Sequence, residues 1–156
     1  MKNNYILTVC LIVLLTLISL SIYSPIRFAK LQTAREAKVK QRLVLIRGAE
    51  ENYKRRHGVY TADWTSLVKE GFLADSLQYI PYASNKKFEL SADVKIGKSG
   101  TQIPVMECGA NYTDYLEGLD DNETAKLIEE ANNAGRYPGL KIGDIITPNN
   151  NAGNWE

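Results

Sequence analysis

Two cysteines and one histidine are all that this chain of 156 residues offers to redox or metal chemistry. Cys10 lies inside an apolar run and Cys108 far beyond it, so no bridge within the chain is expected and the fold must hold without a disulfide. A structural zinc site needs four Cys or His ligands, and His57 has no partner imidazole. Charge is missing from one long stretch, because none of the nineteen residues from Tyr5 to Tyr23 is an Asp, Glu, Lys, Arg or His. Proline is missing from another, Ile26 to Arg56, which holds a single glycine. That second gap removes the main helix breakers from thirty-one consecutive positions.

What fills the first gap is Leu, Ile and Val. A hydrocarbon core of roughly 30 Å needs about 20 helical residues, so residues 5–23 are expected to form a membrane anchor behind a short flank, 1–4, with Tyr5, Leu11, Leu14, Leu17 and Tyr23 facing lipid. The apolar core is longer than that of a cleavable signal peptide, about 7 to 15 residues, and Val9 stands before Cys10 where a lipidation site would have a small residue. An uncleaved single-pass protein in the inner membrane is the expectation. Thr8, Thr16, Ser19 and Ser21 can return their hydroxyls to helix carbonyls.

The rest divides by charge. Ser24 to Gly58 carries ten Lys or Arg against three Glu, and Val59 to Glu156 carries eight against fifteen acids. Basic residues just behind the anchor can lie against anionic headgroups, and by the positive-inside rule they would hold the following domain in the cytoplasm. Nucleic acid is not an expected partner, since aromatic residues are scarce among these cations.

Val39, Leu43, Ile46, Ala49 and Tyr53 recur every three or four positions, the packing stripe of a long amphipathic basic helix over residues 24–57. Pro25 can kink it or start it afresh, and Gly58 behind Lys54, Arg55, Arg56 and His57 ends it. A small α+β domain is expected over residues 58–147. Trp64, Leu67 and Val68 share a face of a short helix closed by Gly71. Lys87 to Ile96 and Thr101 to Cys108 flank Gly97-Lys98-Ser99-Gly100 as an antiparallel hairpin, with Phe88, Leu90, Ala92, Val94 and Ile96 on the core side. A helix starts at Asp120 or Asp121 and ends at Gly135, and Tyr137 to Ile146 can add a short strand. Residues 148–156 read as an irregular tail.

Catalysis needs a nucleophile beside a base, paired carboxylates or a metal, and no such pattern is visible. His57 among cations reads as a surface residue and Cys108 as a buried thiol. Asp120, Asp121 and Glu123 lack the spacing of a calcium loop and read as helix capping. No cofactor motif is present, so a non-enzymatic protein is expected.

The order of elements, with Ala49-Glu50-Glu51-Asn52-Tyr53-Lys54-Arg55-Arg56-His57-Gly58-Val59-Tyr60 followed by Trp64, Leu67, Gly71, Phe72 and Leu73, resembles the pilin and pseudopilin family over residues 5 to 96. The part beyond Cys108, including Gly135-Arg136-Tyr137-Pro138-Gly139, is similar to uncharacterised bacterial membrane-anchored proteins. The resemblance implies an α+β, pilin-like fold, with a long transmembrane-to-amphipathic helix packed on a small antiparallel sheet, and a domain held in the periplasm. Met1-Lys2-Asn3-Asn4 lacks the glycine of a prepilin cleavage site and the apolar run lacks the glutamate that such filaments use. The resulting expectation is a structural or interaction component of an envelope or secretion-type assembly, with the bilayer and protein partners or further copies as its contacts. The other reading is a stand-alone anchored domain that binds a small ligand or envelope polymer through Tyr79, Tyr82, Tyr112, Tyr115 and Trp155.

Overall fold

The computed structural model describes the backbone of residues 2–97 and 99–156, and the side chains of all of these except 2, 3 and 20–24. Helix α1 runs Lys2–His57 with Pro25 inside it and four basic residues in its last turn, and Gly58 follows in the left-handed conformation. Two compact units divide the chain, Met1–Ala34 and Arg35–Glu156.

In the first unit, Thr8, Thr16 and Ser19 donate to the carbonyls of Asn4, Val13 and Leu15, each at 2.8 Å. Tyr5, Leu11, Leu14 and Leu17 are all exposed, while the side chains of Ser21 and Tyr23 lie outside the described residues. The expected membrane anchor is not sustained. Among the described residues no helix is long and apolar enough to cross a membrane. The transmembrane, single-pass and inner-membrane expectations fall with it, and so does the choice between a periplasmic and a cytoplasmic domain.

The second unit is α+β. Its spine is the later part of α1, where Val39, Leu43 and Ile46 are fully buried and Ala49 nearly so. Each Leu or Ile buried in this way contributes about 1.5–3 kcal/mol. Tyr53 is half-buried, stacked on His57 at 4.2 Å and edge-on to Phe72 at 5.7 Å. Helix α2, Trp64–Lys69, starts behind Asp63, whose carboxylate accepts from the amides of Thr65 and Ser66. A 3-10 turn, Asp75–Gln78, follows.

Strands β1 (Glu89–Ile96), β2 (Gln102–Asn111) and β3 (Gly139–Gly143) form one antiparallel sheet in that order. Phe88, Met106, Cys108, Ala110 and Ile142 are buried with the α1 stripe. The register pairs β3 only with Glu107 to Asn111 of β2. Among the described residues the turn end of the hairpin has no third strand, and Val94 and Ile96, expected in the core, are 37% and 78% exposed. Strand alternation fixes which face a side chain takes, not whether anything covers it. Between β2 and β3 lie the single turn α3 (Tyr112–Tyr115), closed by reciprocal bonds of Asn111 and Asp114, and α4 (Asp121–Asn133), capped by Asp120.

Two features hold the outer segments. Arginines of α1 bind backbone carbonyls: Arg35 those of Tyr115 and Glu117 at 3.0 and 2.8 Å, Arg42 those of Ser76 and Tyr79, and Arg47 that of Asn151 at 3.2 Å. The tail, though without a regular element, is docked. Gly143 donates to the Ala152 carbonyl and Asn154 to the Lys141 carbonyl, at 3.0 and 2.9 Å. The Asn154 side chain accepts from the Lys141 amide and donates to the Gly139 carbonyl.

A Cβ on Gly139 would stand 2.2 Å from the Ala110 carbonyl oxygen, and one on Gly143 2.1 Å from that of Met106. Both obstacles are backbone atoms of β2. Gly48 in α1 meets nothing within 4 Å. Urea unfolding should therefore show Gly139→Ala and Gly143→Ala each losing more than about 2 kcal/mol and Gly48→Ala gaining about 0.5–1 kcal/mol. Equal effects at the three positions would refute this reading of the β2–β3 approach.

Candidate functional site

A cleft of about 570 Å³ lies within the second unit. Glu36 and Lys40 of α1 form one side, Leu127, Glu130 and Ala131 of α4 another, and β3 with Asn154 and Trp155 of the tail the floor and far wall. Tyr112 enters from α3, and Arg136 and Tyr137 from the connection between α4 and β3. The volume is within the range of small-ligand sites.

Its charges are balanced and mostly paired. Lys40 lies 3.7 Å from Glu36, and Lys141 lies 3.0 Å from Glu107 and 3.7 Å from Asp144. Two hydrogen bonds from the Thr147 and Ile146 amides and the nearby Lys141 hold the Asp144 carboxyl below the usual range. Lys40 stands 5.7 Å from the centre of the Trp155 ring and Lys141 the same distance from that of Tyr137, near enough for weak cation–π attraction. Burial, then the Glu36 charge, raises the Tyr112 phenol above its ordinary value.

A second polar centre is buried beneath α1. Glu50 is fully buried; one carboxyl oxygen accepts from the Thr61 amide at 3.0 Å and the other has no hydrogen-bond partner among the described residues. Burial pushes its pKa up to about 7, and the Thr61 bond offsets that only in part. Burial above all, and then the charge of Glu50, also pushes the Cys108 thiol well up. Glu50 was legible, since Val39, Leu43, Ile46 and Glu50 follow one another at spacings of four, three and four. Ala49 and Tyr53 drew the stripe past it.

Of the tyrosines read as an interaction surface, Tyr112 lines the cleft and Tyr82 is exposed under the Arg35 guanidinium at 4.8 Å. Tyr79 is half-buried beside Lys87, while Tyr115 is not on the surface at all: it is fully buried, with its hydroxyl unpartnered among the described residues. Trp155 joins Tyr112 in the cleft because the tail docks. His57 meets Glu70 at 2.8 Å at the surface, and Cys108 is a buried free thiol. Among the described residues no group of three or more His, Cys, Asp or Glu is placed to hold a metal ion.

No protein-family model, curated protein or solved structure matches the chain.

The buried carboxyl carries a pH dependence. Glu50 ionises near 4.5 when the chain is unfolded and near 7 when it is folded, so its contribution is fully present below pH 4.5 and is lost as the pH rises through 7. The loss is on the order of 3 kcal/mol. Stability measured from pH 4 to 8 should show Glu50→Gln close to the parent at acid pH and progressively more stable than it toward pH 8. A difference between the two that does not change with pH would contradict the burial of an ionisable Glu50.

Proposed function

We propose that the chain is a non-enzymatic interaction component of a larger assembly, in which the N-terminal part of α1 packs among helices of partners or further copies. The observation that carries this reading is the exposure of eleven large apolar side chains between Tyr5 and Ile18. They include the consecutive residues Leu11 to Leu15, so the apolar surface runs right round the helix instead of forming one stripe. A helix of this kind is stable when covered on several sides, and so large an apolar surface marks an interaction site on a folded protein. The sequence from long helix through short helical cap to antiparallel hairpin supports a pilin-like reading of the first two-thirds of the chain as part of the same proposal.

Chemical crosslinking and native mass measurement of the full chain in mild detergent test it. A species larger than the monomer is expected, reduced to monomer by Leu11→Asn with Leu14→Asn while the unfolding temperature of the 35–156 unit stays unchanged. A strictly monomeric parent, or an assembly indifferent to both substitutions, would overturn the proposal.

A further inference from the structure

The cleft has a property that packing of the first helix does not use: one of its aromatic rings rests on a glycine and the phenol tip of another abuts one. Gly153 lies under Trp155, where a Cβ would come within 2.7 Å of Cε2 and Cζ2 and 2.9 Å of Cδ2. These near-equal distances lay the indole flat on the backbone. Gly109 lies under Tyr137, where a Cβ would stand 2.9 Å from the hydroxyl oxygen and 3.1 Å from Cζ. The hydroxyl is buried there with no hydrogen-bond partner among the described residues. It points into the sheet, so Tyr137 offers the cleft its ring and not its polar tip. Tyr112, half-buried on α3, adds a third ring.

Around these rings the polar fringe has both signs in equal number, Glu36, Glu130 and Asp144 against Lys40, Arg136 and Lys141. Glu130 and Arg136 are exposed at the rim. We propose that this cleft binds a neutral carbohydrate, with pyranose rings lying against Trp155 and the tyrosine rings and with hydroxyls bonded to the mixed fringe. A pyranose has C–H faces that suit aromatic platforms and a periphery of hydroxyls that both donate and accept. An anion would find as many carboxylates as cations, and a wholly apolar ligand would bury charged groups without replacing their water. The Trp155 indole and the Tyr137 phenol tip are held in advance against Gly153 and Gly109, which lowers the ordering cost of binding.

The full chain, kept in a detergent with a polyoxyethylene head group so that no sugar head group competes, is titrated with glucose-, xylose-, mannose- and N-acetylglucosamine-based oligosaccharides, and sedimented with the matching insoluble polymers. The readouts are tryptophan emission and bound fraction. The chain has two tryptophans, and Trp64 lies in α2, so Trp64→Phe leaves the cleft reporter alone. Saturable binding with Kd below about 1 mM is expected for at least one sugar type, as free oligomer or as polymer. Trp155→Ala should abolish it and Tyr112→Ala weaken it at least about tenfold. Glu130→Gln and Arg136→Gln, exposed changes that spare the fold, should each weaken it several-fold. Absence of binding across oligomers and polymers, or binding that survives both Trp155→Ala and the two rim substitutions, would overturn the proposal.

Discussion

Closure of the tail onto β3 is the constraint on which the cleft and the outer edge of the sheet both depend. Beyond Gly143 the chain turns back through the left-handed residues Asn150 and Asn151, and Gly153 then bridges to Ile142. Arg47 reaches Glu156 at 2.9 Å, but both side chains are partly exposed, and such pairs contribute at most about 1 kcal/mol. The buried hydrogen bonds decide the matter. Asn151 is almost fully buried and donates to the Tyr60 hydroxyl at 2.7 Å. Leaving such groups unpaired costs about 1–3 kcal/mol each, so the segment either docks as a whole or releases as a whole.

Docking also explains where the basic charge of α1 goes. Sequence alone makes Arg35, Arg42 and Arg47 candidates for a charged surface, whereas each guanidinium meets the carbonyls of a segment far along the chain, at α3, the 3-10 turn and the tail. Charge-assisted bonds of this kind are stronger than neutral ones, and a planar guanidinium can serve two carbonyls at once. The side of α1 that carries the apolar stripe and the flanks that carry arginine therefore act together, one burying area and the other fixing position. Glu50 is the exception on that spine, a carboxyl kept in the core by one backbone amide.

Local signals made much of the fold legible in the sequence. The stop at Gly58, the helix start at Asp120, the hairpin around Gly97 to Gly100 and the buried stripe all follow from residues within one turn of one another. Helix α3 carries its own signal, Asn111 with Asp114 three positions on, but it is a single turn and hides between stronger patterns. The cleft was not legible, because Glu36, Tyr112, Arg136 and Trp155 are spread over most of the chain and meet only through the sheet register and the docked tail. The exposure of Val94 and Ile96 was hidden for the same reason: what covers a strand is set by partners distant in sequence. Burial of Tyr115 is another non-local outcome, as Arg35 holds its carbonyl against α1.

Amide hydrogen exchange at Asn154 tests the docked tail most directly. Its N–H donates to the Lys141 carbonyl, so it should exchange about as slowly as the amides of β3 and lose that protection when Asn151→Ala removes the Tyr60 bond. Exchange at the rate of an unstructured chain in the parent protein, with β3 still protected, would contradict the account.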